Sequence, residues 1–300
     1  MIASVRFIDD LTIARVLRME DLIPQMEQAM IDFSAGRIAQ PPRRMIEVHP
    51  HGGYFGSMPA ASEKALGAKL LTFYPGNNQR DLPTHMALIV LFNPETGEPV
   101  VAMDGHCITT MRTAAVTATY IDIVAAGDVE SLAVLGAGVQ AKSHIDALAH
   151  VRKFKDIRIW NRSPKRAAKL AESIGGRAVA CEDAVRDADV VIVATSSEEP
   201  VLNGEWLRDG AKVASVGWAG RDAGEVDAST MSNTVIVDSR EGTLADSGNV
   251  RRYNATIYAE LGELLGGSPS VDPAATVVFD SIGLACQDVA AATLVLEKLG

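Results

Sequence analysis

The sequence has few cysteines, no long apolar run and no targeting segment at its start. Cys107, Cys181 and Cys286 are odd in number and far apart, which excludes a disulfide framework or a cysteine zinc site. No apolar run reaches the roughly 18 residues that a membrane-spanning helix requires. The first residues lack the basic stretch and apolar core of a secretory signal. These absences favour a cytoplasmic protein with no membrane partner.

Basic residues are outnumbered by acidic ones, and the formal net charge is -10. Such a charge repels polyanions and argues against a nucleic-acid partner. The six histidines show no metal-ligand spacing, so no metal is expected. Neither a nucleophile elbow nor a phosphate-binding P-loop is present. The chain is 47% hydrophobic over 300 residues, which suits two globular domains.

The first third of the chain shows the pattern of one helix followed by a sheet. Apolar residues recur at helical spacing over 19–35, which predicts a helix. Strand-like stretches follow, with a turn at 93–97. The predicted strands are 44–49, 54–58, 65–73, 85–92 and 99–103. We therefore predict a mixed or antiparallel sheet, followed by a helix over about 108–125.

From Ser131 onward the pattern changes to strands that alternate with helices, as in βαβ units. These strands are short and almost continuously apolar, which is typical of a parallel sheet covered on both faces. They are 131–135, 157–160, 189–194, 212–216 and 234–238, and a last helix over 286–299 returns to the first domain. The predicted α/β fold has a Rossmann dinucleotide-binding domain at 116–284 and a discontinuous α+β domain at 1–115 with 285–300.

A glycine-rich turn lies between the first of these strands and the helix after it. In Gly136-Ala-Gly-Val-Gln-Ala141, Gly136 permits a tight turn and Gly138 lets backbone amides approach a pyrophosphate. Ala141 is small enough for the helix to pack on its strand. The helix N-terminus offers amides and the positive end of its dipole to phosphates. Because strand, turn and helix occur in this order, the pattern predicts an NAD(P) site.

The end of the second strand predicts which nucleotide binds. NAD sites usually carry Asp or Glu there, but this chain has Asn161-Arg162-Ser163. A guanidinium binds a 2′-phosphate in bidentate fashion, whereas a carboxylate would repel it. The alternative is a solvated basic turn capped by Ser163. We predict NADP(H), with NAD(H) as the alternative.

Several charged residues of the first domain have unusual neighbours. Lys69 lies inside an apolar strand, where it must reach an edge or meet an anion, because burial of an unpaired ammonium is costly. Arg112 lies among small residues that leave room for a ligand carboxylate, although a structural ion pair is an alternative. Arg43 is either an anion contact or a loop residue, and Asp288 either lines a site or caps a helix. Of the histidines, only His85, at a strand start, is retained as a candidate.

These segments together resemble the ornithine cyclodeaminase and mu-crystallin family over nearly the whole chain. The resemblance rests on short motifs that occur in this order: Gly67-Ala-Lys-Leu70, Met103-Asp-Gly105, Arg112-Thr-Ala-Ala115, Leu135-Gly-Ala-Gly-Val-Gln-Ala141 with Ser143-His144, Arg158-Ile-Trp-Asn-Arg162, Ala259-Glu-Leu-Gly-Glu263 and Ser281-Ile-Gly283. The likeness is greatest to the mu-crystallin branch, which implies NADPH-dependent ketimine reduction. It also implies a homodimer built through the discontinuous domain, with substrate bound between the domains.

The resemblance implies roles for residues at matching positions. Substrate contacts would come from Arg43, Lys69 and Arg112. Nucleotide contacts would come from the glycine-rich turn and the ends of three strands: Gly136, Gly138, Val139, Gln140, Asn161, Arg162, Ser163, Thr195 and Val216.

Two positions depart from the cyclodeaminase pattern. Gly56 replaces an acidic residue, and Ala219 stands near the place of an aspartate expected after Val216-Gly217. Asp222 or Glu225 in the same loop is an alternative source of a carboxylate. Both departures are of the kind found in mu-crystallins, and they argue against cyclodeaminase activity.

The residues predict a reductase that transfers hydride from NADPH to the C=N carbon of an imine with an adjacent carboxylate. Arg112 and Arg43 would pair with that carboxylate, and Lys69 would protonate the nitrogen or hold a water that does. Lys69 and Arg112 are the predicted catalytic residues, with His85 as a further substrate contact. The alternatives are a cyclodeaminase-like or alanine-dehydrogenase-like amino-acid enzyme, and a non-catalytic protein that binds a nucleotide and a small ligand.

Overall fold

The computed structural model describes residues 5–80, 82–218 and 220–300. The chain divides into two compact units, with divisions after Arg112 and after Gly283. The first unit contains the described residues up to Arg112 together with Leu284–Gly300, and the second contains those between the two divisions. Within the described ranges, no helix combines the length and the apolarity that crossing a membrane requires.

The first unit is built on a six-stranded sheet. Its strands are β1 (Arg6–Ile8), β2 (Arg44–Val48), β3 (Gly53–Ala61), β4 (Leu66–Phe73), β5 (His85–Phe92) and β6 (Pro99–Asp104). The order is β1-β6-β5-β4-β3-β2, with a parallel β1–β6 pair and antiparallel pairs elsewhere. The predicted mixed sheet is confirmed, although β1 was not predicted.

Helices cover one face of this sheet. They are α1 (Asp10–Val16), α2 (Met19–Ser34) and α11 (Ala285–Leu299), and the first division of the chain falls within α3 (His106–Val124). The helix α11 packs on β3, β4, β5 and α2. In α2, Leu22, Met26 and Met30 recur at helical spacing and are fully buried. The sheet and these helices together enclose the core of the first unit.

The second unit is built on an eight-stranded sheet among its described residues. Its strands are β7 (Ser131–Leu135), β8 (Asp156–Trp160), β9 (Arg177–Ala178), β10 (Val190–Val193), β11 (Lys212–Ser215), β12 (Thr234–Val237), β13 (Ile257–Glu260) and β14 (Val277–Asp280). The order is β13-β12-β14-β11-β10-β7-β8-β9, and every pairing is parallel. The predicted parallel sheet is confirmed, and β9, β13 and β14 extend it beyond the prediction.

Short helices connect these strands. They are α4 (Val139–Leu148), α5 (Pro164–Ile174), α6 (Cys181–Val185), α7 (Ala228–Met231), α8 (Arg240–Asp246), α9 (Gly248–Tyr253) and α10 (Leu261–Leu265). The central strands β7, β10 and β11 are almost entirely buried, as expected for a parallel sheet covered on both faces. Because all strands run the same way, their carboxyl ends form one edge, where ligands of open α/β sheets bind.

Candidate functional site

Lys69 lies in the middle of the first unit's sheet and is only 2% exposed. Its strand, β4, is flanked by β3 and β5, so the side chain has no sheet edge to reach, and the edge-lysine interpretation is wrong. The register places it in one row across the sheet with Met58, Ile89 and Met103, which are all buried. An ammonium group in such a row requires an anionic partner.

That partner is Asp288, in the first turn of α11. The Lys69 Nζ donates to Asp288 Oδ1 at 3.2 Å, lies 3.1 Å from Oδ2, and donates to Thr109 Oγ1 at 3.2 Å. The Arg112 Nε donates to the same Oδ1 at 2.9 Å. Asp288 itself is fully buried. One buried carboxylate therefore holds two cations, one from the sheet and one from α3.

The orientation of the Arg112 guanidinium is fixed by a second residue of α11. Its Nη1 donates to Gln287 Oε1 at 2.7 Å, and the backbone N–H of Leu284 donates to the same oxygen at 3.2 Å. A guanidinium carries five N–H donors in one plane. With Nε and Nη1 so engaged, Nη2 has no hydrogen-bond partner among the described residues. The outer edge of Arg112 is therefore held in place with unused donors.

The cluster carries more positive than negative charge. Burial lowers the pKa of Lys69 to about 8; Asp288 opposes this shift, whereas Arg112 and Arg43 add to it. Burial also lowers the pKa of His85, at the start of β5, to about 4, and the charge of Lys69 adds to that effect. His85 is therefore neutral near pH 7 and supplies a hydrogen-bonding group without further charge. Lys69 and Arg112 thus share one carboxylate, with the charge of Arg43 acting on Lys69, and this excess of positive charge suits an anion.

The structure thus brings Lys69 and Arg112 together and places Arg43 and His85 within range of their charges. For Asp288, the sequence left a site residue and a helix cap as alternatives; the side chain is a partner of both cations. Gln287 was missed. The signal that would have found it is a Gln-Asp pair in the first turn of an otherwise apolar helix.

The glycine-rich turn of the second unit has the backbone that its sequence requires. Gly136 follows β7 with a φ of +131°, and a Cβ there would collide with the carbonyl oxygen of Ala194. Gly138 is the N-cap residue of α4, so no side chain caps the amides at Val139 and Gln140. Ala141 is fully buried against the sheet. This cradle has room for backbone-bound phosphates and fits a dinucleotide.

The turn after β8 carries Asn161, Arg162 and Ser163. The Asn161 Nδ2 donates to the carbonyl oxygen of Ser163 at 3.2 Å. Ser163 is the N-cap residue of α5, but its side chain makes no capping bond. Arg162 is exposed, and its guanidinium has no salt-bridge partner in the described part of the chain. The turn therefore presents an unused guanidinium and no carboxylate.

Thr195 and Val216 follow β10 and β11, at the same edge of the sheet as Gly136. The Val216 N–H donates to the carbonyl oxygen of Val193 at 2.9 Å. The Thr195 N–H and Oγ1 donate to Glu225 Oε2 at 2.9 and 2.7 Å. Burial raises the pKa of Glu225 to about 7, against the hydrogen bonds that lower it. The sequence suggested Glu225 only as a substitute carboxylate, and its role as a buried connector was missed.

The positions that depart from the cyclodeaminase pattern offer no carboxylate of the expected kind. Gly56 is buried, and a Cβ there would press on Met45 and Leu71. The side chain of Asp222 is 84% exposed and lies 3.6 Å from Arg251. The prediction made for Ala219 lies outside the described residues.

Comparisons with known proteins find similar sequences and structures over nearly the whole chain. The chain is 41% identical over 286 residues to the ketimine reductase mu-crystallin of Mus musculus, covering 92% of this chain and 91% of that protein. The structure of Thermococcus litoralis Delta(1)-pyrroline-2-carboxylate reductase with NADH and L-proline superposes with a TM-score of 0.93 at 32% identity, covering 98% and 97% of the two chains.

An archaeal alanine dehydrogenase dimer with bound NAD superposes with a TM-score of 0.92 at 26% identity, covering 98% of this chain and 95% of that one. The α/β fold and the nicotinamide-dependent class of enzyme predicted from the sequence are confirmed. The family model for the ornithine cyclodeaminase/mu-crystallin family matches residues 6–300. The chain therefore belongs to the ornithine cyclodeaminase/mu-crystallin family.

Proposed function

We propose that the protein is an NADPH-dependent reductase of imines that carry an adjacent carboxylate. The observation that carries the proposal is the buried cluster in which Lys69 and Arg112 share Asp288. The cluster retains excess positive charge and unused guanidinium donors, which suit a small monoanion. Ketimine reductase and Delta(1)-pyrroline-2-carboxylate reductase, the activities named for two similar proteins, support the same substrate class.

Arg112 would bind the substrate carboxylate through the outer edge of its guanidinium. Asp288 and Gln287 occupy its Nε and Nη1, so the side chain needs no reorganisation when an anion arrives. A guanidinium pairs with a carboxylate through two parallel N–H bonds, which fixes the orientation of the carboxylate as well as its position. Arg43 adds positive charge to the same region. The imine carbon next to the carboxylate is thereby oriented for attack.

Lys69 would supply the proton that the imine nitrogen gains, either directly or through a water. A pKa of about 8 leaves the ammonium mostly protonated at neutral pH, yet makes it a stronger acid than an exposed lysine. His85 is neutral and would act as a hydrogen-bonding contact. The bound nicotinamide supplies the hydride, and the protein supplies orientation and charge. The glycine-rich turn at Gly136 would hold its pyrophosphate.

Ornithine cyclodeamination is the less favoured candidate within the family. That reaction opens with oxidation of an amino acid and then loses ammonia, steps that are served by carboxylates near the two nitrogens. Gly56 has no side chain to provide one, and Asp222 is engaged at the surface with Arg251. Reduction of a preformed imine needs only a bound carboxylate, a proton donor and an aligned nicotinamide.

The function is tested by comparing three mixtures of the purified protein. A cyclic ketimine carboxylate with NADPH is expected to give a cyclic amino acid, with one NADPH oxidised per molecule. Ornithine with NAD(P)+ is expected to give neither proline nor ammonia, and pyruvate with ammonia and NADH is expected to give little alanine. Proline and ammonia from the second mixture, without NADPH loss in the first, would overturn the proposal. Cofactor binding without turnover in any mixture would assign a binding protein instead.

The preference for NADPH is proposed from Arg162, which stands where NAD sites carry an acid. Arg162→Asp is expected to move the preference toward NADH by about 1.5–3 kcal/mol, the scale of a hydrogen bond to a charged group. The ratio of kcat/KM for the two cofactors measures the change. Lys169→Asp makes the same charge change further along α5 and should leave this ratio unaltered. Equal use of NADPH and NADH by the unmodified protein would contradict the prediction.

A homodimer through the first unit is also part of the proposal. The sheet face opposite the helices exposes large apolar side chains from five strands: Phe7, Ile46, Phe55, Met86, Leu88 and Val100. A contiguous apolar patch that is exposed to solvent marks an interaction site. The similar archaeal alanine dehydrogenase is a dimer. The homodimer is expected to have a molar mass in solution of about twice the 31.8 kDa of one chain.

A further inference from the structure

Glu225 is a buried carboxylate with an unusual arrangement of donors. It is 3% exposed, and each of its oxygens accepts one backbone N–H and one hydroxyl. Oε2 accepts from the N–H and Oγ1 of Thr195, at 2.9 and 2.7 Å. Oε1 accepts from the Gly217 N–H at 2.7 Å and from Ser215 Oγ at 2.9 Å. The side chain therefore joins the loop after β10 to the loop after β11.

The connection continues to the next strand. The Asn249 Nδ2 donates to Ser215 Oγ at 2.9 Å and to Asp280 Oδ1 at 2.8 Å. Asp280 ends β14, which is the neighbour of β11, so buried hydrogen bonds tie together the carboxyl ends of three adjacent strands. A small, open cleft is lined by members of this network and by Trp218 and Ser281.

The order of the strands decides which part of a dinucleotide reaches this cleft. β7, with the glycine-rich turn for the pyrophosphate, has β8 on one side and β10 followed by β11 on the other. The Arg162 turn, where the adenosine ribose would bind, follows β8. The half of the cofactor on the other side of the pyrophosphate must therefore extend over the ends of β10 and β11. That half carries the nicotinamide.

We infer that Glu225 is a positioning residue that holds the Thr195 and Gly217 loops as a preformed seat for the nicotinamide half of the cofactor. The inference rests on the proposed function, since it assumes that NADPH binds at this edge of the sheet. The two loops touch directly, because a Cβ at Gly217 would collide with the carbonyl oxygen of Thr195. Glu225 acts on the cofactor only through these loops.

A carboxylate is required at this position for a geometric reason. The hydroxyls of Thr195 and Ser215 can rotate and accept a hydrogen bond, but the backbone N–H groups of Thr195 and Gly217 cannot. A glutamine at 225 would direct its NH₂ group at one of these two N–H groups, whichever way its amide turned. One loop must then move away, although the size of the side chain is unchanged.

The test measures binding to wild type and to Glu225→Gln with two probes, by calorimetry. NADPH is the first, and 2′-phospho-ADP-ribose, which lacks the nicotinamide, is the second. The variant is expected to bind NADPH about tenfold more weakly, the factor that corresponds to one lost hydrogen bond. Its affinity for the fragment is expected to be unchanged. Emission of bound NADPH, which responds to the surroundings of the nicotinamide, should shift in the variant.

Asp189 provides the matched control, because it accepts the N–H groups of Glu130 and Ser131 at the opposite end of β10. Asp189→Asn is expected to lower the thermal stability without altering affinity for either probe. If Glu225→Gln fails to fold by circular dichroism, Ser215→Ala, which removes one donor, should weaken NADPH binding in the same direction.

Two results would overturn the inference while leaving the proposed function intact. One is an unchanged affinity of Glu225→Gln, or of Ser215→Ala where it is needed, for NADPH. The other is an equal loss for NADPH and for the fragment, which would indicate a general structural role. Failure of the wild type to bind NADPH would instead overturn the proposed function, and this inference with it.

Discussion

The variant Arg112→Ala is expected to lose most of its kcat/KM for a ketimine carboxylate while retaining its fold. Removal of one partner from a desolvated charge pair costs about 2–5 kcal/mol, which predicts a loss of at least thirtyfold and up to several thousandfold. The fold survives because Asp288 keeps Lys69 as a partner when Arg112 is removed. Steady-state kinetics with saturating NADPH, together with a thermal unfolding curve, measure both quantities.

Arg112→Lys separates charge from shape in the same experiment. Lysine keeps the positive charge but lacks the planar fork, so it cannot bind Asp288, Gln287 and a carboxylate from one rigid group. We expect it to recover only part of the lost kcat/KM, with the deficit mainly in KM. Kinetics of Arg112→Ala within threefold of wild type would remove this residue from the proposed site.

Lys69→Met is expected to lower kcat for imine reduction by about 10²–10⁴-fold, the usual contribution of a positioned acid. Methionine matches the aliphatic part of the side chain and lacks the ammonium, and Arg112 remains as the partner of Asp288. NADPH affinity should be unaltered, because Lys69 belongs to the first unit and the glycine-rich turn to the second. A variant that keeps normal turnover would show that another group delivers the proton.

The expected pH dependence of the reduction rate follows from the protonation state of Lys69. Lys69 can donate a proton only when charged, so wild-type reduction should be fastest below its pKa of about 8 and fall as the pH rises through that value. Oxidation of the cyclic amino acid, the reverse reaction, needs the neutral amine and should rise over the same range. Both the fall in the reduction rate and the rise in the oxidation rate should be absent in Lys69→Met. A pH dependence that persists in the variant would arise from the titration of a different group.

The fold could be predicted where local signals are long or repeated. β5 and β7 have the predicted bounds, because each is a continuous apolar run with clear turn residues around it. β13 and β14 were missed, although β10, β11 and β12, which were predicted, are equally short at four residues each. β14 also lies between β11 and β12 although it follows both in the chain, and no local pattern encodes that order.

The candidate site was predictable only in part for a related reason. Lys69 and Arg112 stand out because a charge among apolar or small residues is costly wherever it occurs. Asp288 lies 219 residues beyond Lys69, and a pairing at that distance leaves no trace in either local sequence. The hydrogen bonds of Glu225 depend on how the ends of β10 and β11 lie side by side, and sequence periodicity does not specify that arrangement.

The position of α11 has a consequence for the order in which the molecule is made. The whole second unit is synthesised between the two parts of the first, so α11 is translated only after β14, the last strand of the parallel sheet. Until then the part of β3, β4 and β5 on which α11 packs is uncovered, and Lys69 and Arg112 lack their shared partner Asp288. The cluster of Lys69, Arg112 and Asp288 therefore cannot assemble until the whole second unit has been synthesised, and an apolar surface of the growing chain is exposed to aggregation for that interval.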